Sequence, residues 1–423
     1  MLPALIIFAI TYVLLLSFQK FRPYIAIAAA VVFAIIAKFS LPEVFYAIDW
    51  NVLMMIAGTM GTVYLFIQSK MPDRLSDFII EKVPNVKWAI VCLALFTGIV
   101  SAFVDNVATV LMIAPVALDI AKKLKISPVP IIISIAVSSN LQGAATLVGD
   151  TTSIMLAGEL EMNFLDFFWY AGRPGLFWVV QVGALASACI LLFLFRKETA
   201  PISVSTKTEV KDFFPTVLLV GTIVLLIIAS FIPAELKPAE TNGYICVALM
   251  FIGIFRELIL KKNRGIFKEV FKEIDFYTLG LLAGLFVVIA GIEELGVIKA
   301  ISEFFVKIGG GNPFVIYTLI VWASVLLSAF IDNIPYVAAM LPVVASIAPQ
   351  IGCEPHLLAF GLLVGATLGG NLTPIGASAN ITGIGILRNA GYEVKNRDFF
   401  RIGIPFTLCA VLAGYILVWA LWC

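Results

Sequence analysis

Apolar runs of the length needed to cross a hydrocarbon core, about 20 residues, alternate with short polar connections along almost the whole chain. They fall at 2–18, 23–39, 51–67, 88–121, 128–160, 174–195, 215–232, 243–260, 276–295, 313–349, 356–387 and 402–422. Two of them, 88–121 and 313–349, are too long for one crossing and carry an Asp-Asn pair near the middle. Each is read as a re-entrant helical hairpin. The runs at 128–160 and 356–387 are interrupted by glycine-rich stretches and are read as broken helices. Segments 70–85 and 297–310 are short, amphipathic and charged at their ends, the pattern of interfacial helices. The predicted fold class is an all-α polytopic membrane protein with about ten transmembrane helices, two hairpins and two broken helices.

The polar interruptions repeat. Residues 101–154 recur without a gap 227 positions later. Ser101-Ala102-Phe103-Val104-Asp105-Asn106 becomes Ser328-Ala329-Phe330-Ile331-Asp332-Asn333, and Pro115 maps onto Pro342. Gly143, Thr146 and Gly149 map onto Gly370, Thr373 and Gly376. The chain therefore divides into a first repeat at 1–196, a linker at 197–212 and a second repeat at 213–423. With each hairpin entering and leaving on one side, a repeat has five crossings. An odd number inverts the second copy in the membrane.

Charge supports that topology. With the N-terminus outside, 23 of the 28 lysines and arginines fall on the cytoplasmic side, Lys20 and Arg22 in the first such loop, as the positive-inside bias requires. Only Lys38, Arg173, Lys237, Lys299 and Lys307 fall outside, and both termini are then outside. Simple crossings in place of the hairpins would destroy the bias. Charged residues make up 13% of the chain, against about 25% in soluble domains. A formal net charge of +1 gives no reason to expect a nucleic-acid partner; the partner is the lipid bilayer. The first run lacks a basic leader and a small-residue cleavage site, so it reads as a membrane helix and not as a cleaved signal. Six cysteines stand singly without a CxxC pair, which argues against a disulfide framework or a thiolate metal site. The one histidine, His356, is read as interfacial.

The candidate site lies at the interruptions. Irregular backbone at membrane depth survives only where protein or water satisfies it, and paired broken elements in inverted repeats are where secondary transporters bind their cargo. Four elements qualify: the tips at Asp105-Asn106 to Thr109 and at Asp332-Asn333, and the breaks at 143–153 and 369–380. Freed carbonyls and helix C-termini can hold a cation, and the half-helix N-termini after each break can hold an anion. An ionised carboxylate at mid-bilayer costs at least about 2.5 kcal/mol on insertion scales. No lysine or arginine lies within the four elements, so the partner of Asp105, Asp150 and Asp332 is expected to be a bound ion, a proton or backbone amides, not a side chain. The cation-binding set is Asp105, Asn106, Thr109, Gly143, Thr146, Gly149, Asp332, Asn333, Gly370, Thr373 and Gly376, with Na+ at the tips. Asp150 breaks the symmetry, because its counterpart is Ala377. It is assigned to proton coupling or substrate, with Thr151, Thr152, Ser153, Asn140, Asn371, Ser378 and Asn380. The plainer role for Asp105, Asp150 and Asp332 is capping of the following helix, which can coexist with ion binding. The threonines and serines can equally bond back to their own helices. Asn140, Asn371 and Asn380 are expected to face the cavity.

At these residues the chain resembles the ion-transporter superfamily, in its ArsB, NhaD and P-protein branch (CitMHS-type), with the divalent-anion/sodium symporters as distant relatives. The likeness rests on Asp105-Asn106 through Pro115, on Gly143 to Ile154 and on Ala283-Gly284-Leu285-Phe286-Val287-Val288, and it covers essentially the whole chain. It implies a homodimer, each protomer with a scaffold and a transport region that moves as an elevator. It also implies sodium sites at Asn106 with the first break and at Asn333 with the second. The symporters carry serine where this chain has Asp105 and Asp332, so dicarboxylate specificity does not carry over. Gly-Asp-Thr-Thr-Ser-Ile at 149–154 is close to the NhaD form.

The functional expectation is a secondary active transporter coupled to Na+ or H+, in the cell membrane of a bacterium or archaeon. The cargo is a small anion or oxyacid such as arsenite, antimonite or a small carboxylate. A Na+/H+ antiporter is the first alternative, favoured by three intramembrane acids without a base. An anion channel like the P protein is the second. No GxxxxGK[ST] phosphate loop is present, so the chain hydrolyses no nucleotide, and no cofactor is expected. An ATPase partner, if the chain has one, would dock on the basic loop 256–272. An intramembrane aspartyl protease is disfavoured because 147–150 reads Leu-Val-Gly-Asp and lacks that class's Gly-x-Gly-Asp.

Overall fold

A computed structural model describes residues 2–124, 126–201, 208–210, 212–233 and 236–423. Part of the linker read at 197–212 (its positions 202–207 and 211), and with it Lys125, Lys207 and Lys211 of the charge argument, lies outside the described residues. The first half contains α1 (Leu2–Ser17), α2 (Arg22–Ile36), a short α3 (Leu41–Ala47), α4 (Trp50–Gln68), α5 (Met71–Lys82), α6 (Val86–Ser101), α7 (Asn106–Leu124), α8 (Val129–Gly143), α9 (Thr151–Glu159) and α10 (Leu176–Leu194). The second contains α11 (Phe214–Ser230), α12 (Thr241–Leu260), α13 (Ile266–Glu273), α14 (Phe276–Glu294), α15 (Val297–Ile308), α16 (Pro313–Ser328), α17 (Asn333–Gln350), α18 (Pro355–Gly369), α19 (Ser378–Asn389) and α20 (Asn396–Trp422). The only described sheet is a two-stranded ribbon, Trp169–Tyr170 against Arg173–Pro174.

α6, α7 and α9 each begin 227 residues before α16, α17 and α19. The local causes recur at the same step. Asn85 caps α6 through Trp88 N, and Asn312 caps α16 through Phe314 N. Pro115 sits inside α7 and Pro342 inside α17. The long apolar runs at 88–121 and 313–349 are thus each two helices joined by a short turn, 102–105 and 329–332. Among the described residues six helices are long and apolar enough to cross a membrane, α4, α10, α12, α14, α18 (with the turn that follows it) and α20, and α15 with α16 forms a bent seventh. α1, α2, α6, α8 and α11 are apolar but shorter.

Large apolar side chains cover the outside of the molecule, among them Ile35, Phe231 and Leu185. This is stable only if lipid replaces water there. The core is built instead around α8 and α18, which are buried almost along their whole length. α2 packs along α14 and α4 along α12. Gly280, Gly284 and Gly291 of α14 meet Pro23, Ala26 and Phe33 in that order, so α2 and α14 run parallel. In the same way Gly58, Gly61 and Gly253 bring α4 and α12 into parallel contact.

Candidate functional site

The two tips and the two breaks meet around one cavity of about 390 Å³. Each tip is made by an aspartate that starts the next helix. Asp105 Oδ1 accepts hydrogen bonds from the amides of Val107 (3.0 Å) and Ala108 (3.1 Å), and Asp332 Oδ1 accepts one from Ile334 (3.3 Å). Capping is therefore real at both, and each carboxylate keeps its second oxygen for other work. Asp150 stands just before α9 and accepts from the Thr152 hydroxyl (2.9 Å).

Behind the tips the repeat extends to individual atoms. Thr146 donates its hydroxyl to Ala102 O, and Thr373 donates to Ala329 O. Ser153 Oγ donates to Gly143 O and Asn380 Nδ2 to Gly370 O, both at 3.2 Å. A Cβ on Gly149 would lie 2.6–2.9 Å from the carbonyl oxygens of Gly143, Ala102 and Ser101. A Cβ on Gly376 would lie 2.6–2.8 Å from those of Gly370, Ala329 and Ser328. Only glycine lets tip and break approach so closely. The two halves meet at Asn140, which accepts from Asn106 Nδ2 (3.2 Å) and donates to Thr367 O (2.6 Å), its own repeat counterpart.

The structure sorts the residues expected from the sequence into two groups. Asp105, Asn106, Asn140, Asp150 and Thr151 line the cavity, as do Asp332, Asn333 and Ser378. Thr109, Thr146, Thr152, Ser153 and Thr373 are buried behind that lining; of these Thr146 and Thr373 hold tip to break, as do the glycines 149, 370 and 376, while Gly143 packs against Asp150 within its break. Thr109 bonds within its own turn, to Asp105 O. Asn371 and Asn380 do not face the cavity as expected. Asn371 donates to Val137 O (2.9 Å), and Asn380 donates to carbonyls of its own break, because unpaired amide N–H groups at full burial would be too costly. Asn380 Oδ1 has no partner among the described residues. His356 stands in the first turn of α18 and is buried there, its ring 4.3 Å from that of Tyr170 and 5.6 Å from that of Trp422.

The expectation that no side chain partners the three aspartates is also overturned. Asp332 does have a side-chain partner: Arg22 Nη1 lies 3.0 Å from Asp332 Oδ2. Arg22 is not a loop residue. It opens α2, is buried, and is aimed by a second bond from Nε to Leu15 O (3.0 Å). Tyr12 ties the same tip, donating to Pro335 O (3.0 Å). Among the described residues neither Asp105 nor Asp150 has a basic partner.

Sequence reasoning also missed Glu273 and Asp275, which bring two more acids to the cavity wall. Asp275 caps α14 by accepting from Thr278 N (3.0 Å) and Thr278 Oγ1 (2.5 Å). Its signal was an ordinary helix start. Among the described residues no three His, Cys, Asp or Glu side chains are close enough to share a metal, so a cation here would rely on carbonyl and amide oxygens beside single carboxylates.

Buried broken helices that meet at an acid-lined cavity inside a lipid-facing bundle define a multi-pass membrane transporter. The sequence pattern of the citrate transporter family (CitMHS) matches residues 12–365, and the chain belongs to that family. It is 30% identical over 429 residues to an uncharacterized transporter of Mycobacterium tuberculosis, covering 98% of this chain and 97% of the relative. It is 28% identical over 476 residues to the human P protein, covering 93% of this chain and 56% of that protein. Among solved structures it is similar to the YdaH transporter of Alcanivorax borkumensis, with a TM-score of 0.62 at 13% identity over 94% of this chain and 97% of the other. The likeness to MtrF of Neisseria gonorrhoeae has a TM-score of 0.52 at 17% identity, over 87% and 80%.

Proposed function

We propose that this chain is a secondary active transporter coupled to Na+ or H+, with the coupling ion drawn to Asp105 and Asp150. One observation carries this: Asp105, Asp150, Glu273, Asp275 and Asp332 face one cavity, and among the described residues the one base paired with any of them, Arg22, is already engaged. Two like charges about 4 Å apart repel by about 4 kcal/mol at an effective dielectric constant near 20. A bare anion beside an ionised Asp105 is therefore disfavoured, and a cation or proton is favoured by a similar amount. That balance puts Na+/H+ exchange ahead of an anion carrier.

A second reading keeps a small carboxylate or oxyacid as cargo, entering together with the cation. The family's description and the N-terminus of α19 favour it. Ala377 precedes α19 where Asp150 precedes α9, so the second half leaves its helix N-terminus free of a carboxylate, with Ser378 on the cavity wall.

The inverted arrangement supports alternating access. α14 is the counterpart of α4 but runs parallel to α2; successive spans joined by a short connection oppose each other, so α14 opposes α4. On this reading the α2–α14 and α4–α12 pairs form the scaffold of a dimer, and the tips and breaks travel past it as an elevator, with the coupling ion held between the first tip and its break.

The test is purified protein in proteoliposomes under imposed Na+, Li+ or pH gradients, with a pH-sensitive dye inside and with labelled citrate or arsenite outside. Gradient-driven proton movement without added anion supports exchange. Cation-dependent anion uptake supports the second reading. Large currents that dissipate without coupling would overturn both in favour of a channel.

A further inference from the structure

The two tips are neutralised differently. In the first half Asp105 and Asp150 share the cavity with no base. In the second half Asp332 is met by Arg22, whose side chain is 7% exposed and is held on both sides, by Leu15 O and by the carboxylate. Arg22 belongs to the opposite half of the chain and to the α2–α14 pair, not to the hairpin that carries Asp332. Among the described residues no basic side chain stands in that relation to the first tip. Gly284 of α14 lies against Ala26 and Ile27, and Gly58 of α4 lies against Cys246 and Val247. That correspondence puts Thr241 and Asn242, at the start of α12, where Arg22 stands in α2, and neither is basic.

A guanidinium that cannot leave is a cation that cannot be transported. From this geometry we propose that Arg22 is a tethered counter-ion: at the second tip it takes the place that a travelling cation takes at the first. It thereby removes Asp332 from the set of coupling sites and fixes the number of cations bound at one fewer than the repeat symmetry would give. The proposal rests on the cation-coupled reading above. It also gives the pair a mechanical consequence. An arginine on α2 holding an aspartate on the hairpin ties the travelling tip to the scaffold, so the pair must open if the tip moves away from α2. The neutral bond from Tyr12 to Pro335 O ties the same tip without adding charge, which separates charge from tether.

The experiment counts 22Na+ bound at saturation to the full-length purified chain at pH 8, where protons compete least. Arg22→Gln is expected to bind one Na+ per protomer more than the wild type, because Asp332 is released to an ion. Arg22→Lys and the double variant Arg22→Gln/Asp332→Asn are expected to return to the wild-type number, and the double variant shows that the fold tolerates loss of the arginine. Tyr12→Phe is expected to leave the number unchanged. An Arg22→Gln protein that binds no additional Na+ while the double variant is folded overturns the proposal. So does an equal gain in Tyr12→Phe, which would make the effect one of contact and not of charge. Wild-type protein that binds no Na+ contradicts the sodium form of the functional reading alone, since Arg22→Gln must still gain one ion if Arg22 is the counter-ion.

Discussion

Gly149 and Gly376 are the positions where a single atom matters most. Each is surrounded by three carbonyl oxygens from its tip and its break, and a methyl group there must push them apart. Overpacking of this kind costs about 1–3 kcal/mol. Gly149→Ala and Gly376→Ala are expected to lower the thermal unfolding midpoint in detergent and to abolish the stabilisation that Na+ gives the parent. Retention of that Na+ effect in both would remove the tip-break contact from ion binding. Asp212, outside the membrane, allows a pH argument. Burial pushes its carboxyl up, but hydrogen bonds from Arg256 and Lys261 outweigh this and hold it below the ordinary 3.8. A group whose folded pKa is depressed stabilises the fold above its unfolded pKa and loses that contribution as pH falls through the folded value. The difference in midpoint between wild type and Asp212→Asn is therefore expected to be constant above about pH 5 and to shrink below about pH 4. A difference that grows on acidification would contradict the assignment.

At the scale of elements, Asn140 joins the halves. It accepts from Asn106 and donates to Thr367 O across the two repeats. Asn140→Ala leaves buried partners unpaired at about 1–3 kcal/mol each, so a clear loss of thermal stability is expected, larger than for Thr151→Ala on the cavity wall. The hairpins, the breaks and the positions of Asp105, Asp150 and Asp332 could all be read from the chain, because a 227-residue step carries polar residues through otherwise apolar runs. Arg22 could not. In sequence it follows an apolar run beside Lys20 and looks like any cytoplasmic loop base. Only the packing of α2 along α14 carries it to the second tip. Asp275 was hidden for a similar reason: a cap at the start of an apolar helix is common, and nothing local says that the helix begins at a cavity. Asn371 and Asn380 misled in the other direction. Polar residues in a break suggest a cavity wall, yet these two satisfy the break's own backbone.

For the whole molecule the account requires that the halves be upside-down relative to each other. Single cysteines placed at Asn85 and Asn312, equivalent positions before α6 and α16, are expected to react with a membrane-impermeant thiol reagent from opposite sides, in a background freed of the six native cysteines. Labelling from the same side would refute inversion. The central claim is narrower: an unpaired carboxylate at the first tip is what couples this protein to an ion. Its most direct measurement is proton movement driven by a Na+ or Li+ gradient in proteoliposomes that contain Asp105→Asn, compared with wild type at equal protein content. The account expects the wild type to move protons and Asp105→Asn to lose at least about tenfold, the equivalent of 1.4 kcal/mol. Asp105→Asn protein that exchanges ions at the wild-type rate would contradict it.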